Sequence, residues 1–538
     1  MDTTQAKTIP ELVRRAAERF GERTALEENG LKLSFGELRE ASLAAARAFM
    51  ASGVEPGDRV AVWAPNIHEW IIAAIGLQSA GAALVPLNTR LKAAEAGYIL
   101  AKSGARVLCT LDEFLGASYV DMLIEGLGRG RDRPVAELPA LERIVSLRGT
   151  PAADRDTEQF TAWAGFLALG EAMPEDAVEK RAASVGADDL SDILFTSGTT
   201  GKPKGVMTAH GQNLRAFAAW SEVVGLGESD RYLIVNPFFH SFGYKAGWLS
   251  AIMRGAVILP HAVFDVPEVL KRIRRDRVSV LPGPPALYQS ILAHPDRHSH
   301  DLSTLRLAVT GAAVIPVDLI RRMRSELGFD VVITGYGLTE TCGIATMCRF
   351  DDDPETIATT SGKAIPGVEV CCVNGDGVEV ERGEPGEVVV RGYNVMHGYF
   401  DDEAATAETI DEQGWLHTGD VGVMDERGYL RITDRIKDMY IMGGFNCYPA
   451  EIENIIRDHG EIADAAVIGV ADERMGEVGM AFVVRIPGAT LTADQVVGWC
   501  RENMANYKVP RAVVFVEALP RTATGKLQKF RLTAGEFG

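Results

Sequence analysis

Phe195-Thr-Ser-Gly-Thr-Thr-Gly-Lys-Pro-Lys-Gly-Val206 follows directly on the apolar pair Ile193-Leu194, which reads as the end of a short strand. Three glycines (Gly198, Gly201, Gly205), four hydroxyls (Thr196, Ser197, Thr199, Thr200) and two lysines (Lys202, Lys204) fall within it. Glycine tolerates positive φ and close approach, so such a loop can turn its N–H groups toward oxygen anions. The hydroxyls add donors, and the lysines add charge where phosphates would lie. A solvated turn also favours these residue types, but it needs no such concentration of anion-binding groups. The common phosphate loop requires Gly, four residues, then Gly-Lys-Ser/Thr. Counted from Gly198, the place of its second glycine is taken by Pro203. Polyphosphate binding is therefore expected, on a fold other than that of the common nucleotide hydrolases.

The chain of 538 residues corresponds to roughly three or four domain-sized units. A net charge of −19 argues against nucleic acid or an anionic membrane surface as partner. It leaves a phosphate-bearing small molecule open, because a few focused lysines and helix N-termini hold a phosphate locally. The seven cysteines include no Cys-x-x-Cys pair, and Cys371-Cys372 reads as part of a strand, which suits a reducing compartment. The start, Met1-Asp-Thr-Thr-Gln, lacks a charged-then-apolar leader. The most apolar stretch, Trp70 to Leu87, is interrupted by Gly76, Gln78, Ser79 and Gly81 and is not expected to span a membrane. A soluble cytoplasmic enzyme is the expectation.

Strand, helix and strand alternate through the first two thirds of the chain. Pro10 to Phe20 has helical spacing; Arg59–Trp63 and Ala82–Pro86 read as buried strands, with a helix from Asn66 through Leu77 between them. After the phosphate loop come a helix over Asn213–Val224, a strand over Arg231–Val235, a helix after Gly243 and a strand over Ala256–Leu259. A helix over Val266–Arg275 and strands over Val278–Leu281 and Leu305–Thr310 follow. Pro282-Gly-Pro-Pro285 closes the first of these strands, because proline cannot continue a ladder. Layered, mostly parallel α/β sheets are the expected fold class. Short strands over Val368–Val373, Glu387–Arg391 and Gly428–Ile432 suggest a small barrel-like subdomain. The division is placed at 1–434, a charged hinge at 435–438, and a separate C-terminal α+β unit at 439–538.

Thr-Ser-Gly-Thr-Thr-Gly-Lys-Pro-Lys-Gly resembles the signature loop of the adenylate-forming superfamily, which includes acyl-CoA synthetases, the adenylation domains of peptide synthetases and luciferases. Gly335-Tyr-Gly-Leu-Thr-Glu340 is a second signal in its own right. Gly335 and Gly337 allow close approach, Tyr336 offers a ring to a base, and Thr339 can donate to phosphate. Glu340 is a hard oxygen ligand suited to Mg²⁺. Thr196 and Glu340 are the expected metal ligands. Thr310-Gly-Ala-Ala313 is similar to the superfamily turn that flanks adenine, placing Gly311, Ala312 and Ala313 there. The resemblance further assigns Asp420, in Gly414-Trp-Leu-His-Thr-Gly-Asp420, to the ribose, and Arg435 to ribose and phosphate. Lys437 falls on the hinge about which the C-terminal unit rotates. Gly444, in Met442-Gly-Gly-Phe-Asn446, falls beside the pantetheine tunnel, and Lys526, after Thr-Gly, on the catalytic lysine.

Asn236-Pro-Phe-Phe-His-Ser-Phe-Gly-Tyr-Lys245 gathers aromatics around one histidine. Taken alone, such a histidine is more often a satisfied core residue; the resemblance instead makes His240 the group that orients the incoming carboxylate. Peptide synthetases usually carry an Asp here, so amino-acid activation is disfavoured. Phe242 and Tyr244 are expected as walls of the acyl pocket. Lys245 is expected to reach water along its stem, or else to meet a polar group of the substrate. The resemblance implies an ATP-, Mg²⁺- and coenzyme A-dependent acyl-CoA synthetase acting on a small-molecule carboxylic acid, with a homodimer as the oligomer to expect. Its histidine stretch, Leu281-Pro-Gly-Pro-Pro-Ala-Leu-Tyr-Gln and Asp438-Met-Tyr-Ile-Met-Gly-Gly-Phe-Asn look similar to a bacterial subgroup acting on the propanoate side chain of a steroid-derived indanedione. A medium- or long-chain fatty acid ligase, and an adenylating module that loads a carrier other than free CoA, are the alternatives.

Overall fold

Seven strands between residues 59 and 209, with one short strand from near residue 398, assemble into an eight-stranded sheet. Its order is Gly398–Tyr399, Lys204–Ala209, Leu190–Thr196, Ala83–Pro86, Arg59–Trp63, Val107–Thr110, Arg143–Ser146 and Phe160–Ala162. Pairing is parallel from Leu190–Thr196 through Phe160–Ala162 and antiparallel at the other edge. The parallel strands are largely buried and mostly apolar, as strands covered on both faces tend to be, with Ser191 and Asp192 among the buried polar exceptions. A computed structural model describes residues 2–130, 134–149, 159–196, 202–311, 315–435, 440–447, 449–520, 529 and 532, with the main chain alone at 433–435, 446 and 450.

Two further four-stranded sheets stack beside the first. One runs Arg231–Ile234, Val257–Pro260, Thr24–Glu28, Leu31–Ser34; the other runs Leu307–Thr310, Val331–Tyr336, Thr346–Met347, Lys363–Ala364. The strand expected over Val278–Leu281 is reduced to a bridge at Val280, which pairs with both Tyr232 and Leu307 and so joins these two sheets. Pro282 and Pro284 supply no N–H, which limits that ladder. Leu281 N and Gly283 N still donate to Leu307 O and Val309 O, each at 3.0 Å.

Helix Phe35–Ala51 starts in a capping box between Ser34 and Glu37. Helix His68–Ser79 is buried on nearly every side. It begins two residues later than Asn66, whose side chain serves a different purpose described below. Val266–Arg275 forms the helix expected there, capped by Asp265. The short strands beyond residue 360 form a four-stranded antiparallel sheet, Val368–Val373, Pro385–Gly392, Leu416–Met424, Leu430–Arg435. Among the described residues its two edge strands are not paired to each other, so the expected barrel is an open sheet there.

Past residue 440 the chain builds a sheet of Phe445–Cys447, Tyr440–Met442, Gly476–Arg485 and Ile462–Asp472, with Ala512–Phe515 pairing parallel to Gly476–Arg485. Helices Pro449–Arg457 and Ala493–Asn503 accompany it. This unit has its own apolar core, including Ile452, Val467, Ala481 and Val496. Among the described residues no helix is long and apolar enough to cross a membrane. All seven cysteines are free and buried.

Candidate active site

The antiparallel pair Leu190–Thr196 and Lys204–Ala209 ends with Thr196 opposite Lys204, which places these two residues of the phosphate motif side by side. Lys202 is exposed and Lys204 half-buried. The Lys204 ammonium stands 4.8 Å from the centre of the Tyr399 ring, and Lys202 is 6.0 Å from that of Tyr98. Tyr399 sits on the strand paired with Lys204–Ala209 and donates from its hydroxyl to Glu340 Oε1 at 2.9 Å. A tyrosine missed by the sequence reading thus ties the expected phosphate lysine to the expected metal ligand. Burial pushes the Glu340 carboxyl up, opposed by the Tyr399 hydrogen bond and the Lys204 charge. A half-buried hard carboxylate with desolvation still uncompensated fits a divalent cation riding on phosphates.

Gly311 and Gly335 come directly after Thr310 and Thr334, which pair in register between parallel strands. A Cβ on Gly335 would lie 2.8 Å from Thr346 O, and one on Gly337 would lie 2.4 Å from Ile344 Cα. No side chain fits at either position. Thr339 opens a single turn, and Glu340 O accepts from Met396 N at 2.9 Å. Tyr336 Oη donates to Asp420 Oδ2 at 2.7 Å. Asp420 in turn faces Arg435 across the antiparallel pair Leu416–Met424 and Leu430–Arg435. Three motifs far apart in sequence therefore meet along one edge.

His240 stands at the N-terminus of the short helix Ser241–Gly243. Its Nδ1 accepts from Phe242 N at 3.2 Å, so the neutral ring carries its proton on Nε2, free to donate to a carboxylate oxygen. The surrounding protein, and secondly the Lys245 ammonium, push its pKa below the ordinary value, although the residue as a whole is exposed. The loop that carries it is pinned by Asn66. Asn66 Nδ2 donates to Ile234 O (3.0 Å) and Asn236 O (2.8 Å), and Asn66 Oδ1 accepts from Phe238 N (2.8 Å). Gly343 closes the other side: a Cβ there would lie 2.8 Å from Ser241 Oγ.

Two expectations for this loop need correction. Lys245 does not reach water. It is fully buried, with its ammonium 3.0 Å from Asp192 Oδ1 and donating to Thr208 Oγ1 at 3.0 Å. Asp192 also accepts from Ser191 Oγ, Thr208 Oγ1 and Asn213 Nδ2 at 2.7–2.8 Å. Tyr244 is equally buried: its hydroxyl accepts from Gln78 Nε2 at 2.8 Å, and its ring stacks on Trp248 with centroids 4.9 Å apart. It backs the site from the core. Phe242 is half-buried against Trp220 and remains available as a wall. The backbone from Tyr244 to Leu249 is a π-helix, kinked at Gly247, a geometry that often marks functional sites.

Gly444 adopts φ +85°, and a Cβ on it would lie 3.4 Å from Pro284 Cβ, so the glycine loop of the C-terminal unit stands against the Pro-Gly-Pro-Pro stretch. Ser197, Gly198, Thr199, Thr200, Gly201, Ala312, Ala313, Lys437 and Lys526 lie outside the described residues, as does the side chain of Arg435. The cluster Glu28, His68 and Glu69 has metal-ligand spacing, but the Arg148 guanidinium fills it, 2.8 Å from Glu28 Oε1 and 2.7 Å from Glu69 Oε2.

The chain matches the AMP-binding enzyme family over residues 13–400 and the AMP-binding enzyme C-terminal domain over residues 451–526. It is 49% identical over 527 residues to the 3-[(3aS,4S,7aS)-7a-methyl-1,5-dioxo-octahydro-1H-inden-4-yl]propanoyl:CoA ligase of Rhodococcus jostii, with 98% of each chain covered. To the ligase of the same name from Mycobacterium tuberculosis it is 50% identical over 526 residues, again with 98% of each covered. Among solved structures, a double mutant of the o-succinylbenzoate CoA synthetase of Bacillus subtilis bound to a product analogue superposes with a TM-score of 0.79 at 29% identity, covering 97% of each chain. The same synthetase in complex with AMP gives 0.64 at 28% identity and 98% coverage of each. With these matches along nearly its whole length, the chain belongs to the AMP-binding enzymes of the adenylate-forming superfamily and is an AMP-forming acid–CoA ligase.

Proposed function

We propose that the acid is a bulky, ring-bearing propanoate of the indanedione type, converted first to its adenylate and then to its CoA thioester. The observation that carries this reading is identity near 50% along the whole length to two ligases named for that acid. The half-buried Phe242 gives a ring substrate an aromatic wall, and no carboxylate stands at the histidine loop to favour an amino acid.

In the first step a carboxylate oxygen attacks the α-phosphorus of ATP, the new O–P bond forming as the bond to pyrophosphate breaks. His240 Nε2–H orients the carboxylate. Asp420 accepts from the ribose hydroxyls, while Tyr336 holds that carboxylate in place. Lys202, Lys204 and the loop of residues 197–201 cradle the phosphates. Glu340 and Thr196 would hold Mg²⁺, which supplies neutralising charge to the leaving group. Lys526 neutralises charge building between carboxylate and phosphate; such a preorganised group typically contributes about 3–4 kcal/mol. In the second step the CoA thiolate attacks the acyl carbon and AMP departs with the electron pair of the broken C–O bond. Residues 1–434 act as the adenylating unit and 439–538 as a unit turning about 435–438, which brings Gly444 up for the CoA step. ATP, free CoA and seven free cysteines suit the cytoplasm.

The test is mass spectrometry of products after incubation with ATP, Mg²⁺, CoA and a panel of acids: straight-chain fatty acids, aryl propanoates and indanedione propanoates. Thioester from the ring acids with little from straight chains is expected. Thioester from straight chains alone would discard the substrate while leaving the reaction class. AMP release without thioester from any acid would point to an acceptor other than free CoA.

A further inference from the structure

Lys508 lies between helix Ala493–Asn503 and strand Ala512–Phe515 of the C-terminal unit. Its ammonium is 2.6 Å from Glu451 Oε1 in its own unit and 2.7 Å from Glu95 Oε1, on helix Ala93–Ser103 of the N-terminal unit. The three side chains are 4%, 6% and 8% exposed. Contacts of other kinds surround this triad. Asn88 Nδ2 donates to Tyr507 Oη at 3.2 Å, and the Arg90 guanidinium sits 4.6 Å from the centre of the Phe445 ring. Beside them Gly444 meets Pro284.

A charge taken out of water is held only by well-placed partners. Lys508 and Glu451 belong to one unit and stay paired however that unit turns. Glu95 belongs to the other unit, so its pairing with Lys508 depends on how the two units are oriented. It is therefore the member whose pairing discriminates between orientations. This orientation superposes better on the relative bound to a product analogue than on the same relative bound to AMP.

We propose that Glu95 and Lys508 are positioning residues for the CoA step: their ion pair latches the C-terminal unit with the Gly444 loop against Pro284. The inference rests on the two-step reading above. It requires the latch to matter for thioester formation and not for adenylate formation.

Glu95→Gln isolates the charge. Glu95 Oε2 also accepts from Lys92 N at 3.0 Å in a helix-capping arrangement, and glutamine fills that role equally. Rates of ATP–pyrophosphate exchange and of thioester formation from supplied acyl-adenylate and CoA would be compared in the full-length enzyme. Expected is a fall of about tenfold or more in thioester formation with exchange within about twofold of the parent, and partial recovery in Glu95→Asp. An equal fall in both half-reactions, or none in either, would overturn the latch. A second readout does not need the right acid. Leu115 and Ile486 are exposed, one in each unit, and every native cysteine is buried. Spin labels on Leu115→Cys and Ile486→Cys report the inter-unit distance. Glu95→Gln should broaden or shift that distribution, and an unchanged distribution would sink the proposal. Failure of the parent enzyme to make any thioester would instead count against the proposed function, with the distance measurement still deciding the latch.

Discussion

Lys245 Nζ stands 3.0 Å from Asp192 Oδ1, with the two side chains only 1% and 0% exposed. Asp192 lies four residues before Thr196 on the strand that enters the phosphate loop, and Lys245 lies five residues after His240. The pair therefore couples the loop expected to hold phosphates to the loop expected to hold the acid. Ser191, Thr208 and Asn213 complete the hydrogen bonding of the carboxylate, which is what makes a buried ion pair tolerable.

Breaking this pair from one side should be costly. Lys245→Met leaves Asp192 buried without its counter-charge, hydrogen-bonded only by Ser191, Thr208 and Asn213, with an expected loss of about 3–5 kcal/mol. Lys245→Met combined with Asp192→Asn should lose less than the sum of the single changes, since residues in contact do not add. Denaturant unfolding of the four proteins measures the coupling. Because the ammonium faces Asp192 and not a substrate, kcat/KM should fall for all acids by a common factor. A change confined to one acid would show that Lys245 touches substrate after all.

Asn66 offers a second test, closer to the acid. Its amide holds both faces of the turn before His240 through three hydrogen bonds. Asn66→Ala leaves Phe238 N and Asn236 O without this partner, at about 1–3 kcal/mol for each group left unsatisfied, while Ile234 O keeps its bond from His261 N at 3.1 Å. The melting temperature should drop. At temperatures where the fold persists, KM for the acid should rise more than KM for ATP, because the Tyr336–Asp420 edge does not depend on this turn. Equal changes in both constants would assign Asn66 to general stability alone.

These residues also show where sequence reading stops. Motifs contiguous in the chain were legible: Gly335 and Gly337 sit where no Cβ fits, and Tyr336 reaches Asp420. Parallel strands such as Arg59–Trp63 were legible because burial on both faces leaves a continuous apolar run. Lys245 was misread because its partner is 53 positions away, and nothing local separates a paired lysine from one that snorkels. Tyr399 and Asn66 were missed for the same reason, each acting across the fold on another motif. Val278–Leu281 read as a strand by composition, but the prolines after it remove the donors a ladder needs.

His210 makes a prediction about pH. It is 1% exposed, its Nδ1 accepts from Ile9 N at 3.3 Å, and burial pushes its pKa down to about 4. The unfolded chain takes up this proton first, near pH 6.5. The stabilisation from keeping His210 neutral is therefore full above pH 6.5 and is lost progressively as pH falls toward 4. For a shift of this size the loss is on the order of 3 kcal/mol. Unfolding free energy measured at pH 7 and pH 5 should fall less in His210→Gln than in the parent enzyme. A parallel loss in both would exclude His210 as a source of acid sensitivity.

Lys526→Ala completes the set by separating the two chemical steps from the other side. Lys526 follows Thr-Gly near the end of the chain and is proposed to neutralise charge in adenylate formation only. Its loss should cut ATP–pyrophosphate exchange by roughly 10²–10³. Thioester formation from supplied acyl-adenylate should persist at much of the parent rate, because that step uses the Gly444 orientation held by Glu95 and Lys508. Together with Glu95→Gln this gives opposite half-reaction profiles from two charged residues, neither of which need alter the fold. If Lys526→Ala slowed both steps alike, a single orientation would have to serve both, and the division of labour between residues 1–434 and 439–538 would fail with it.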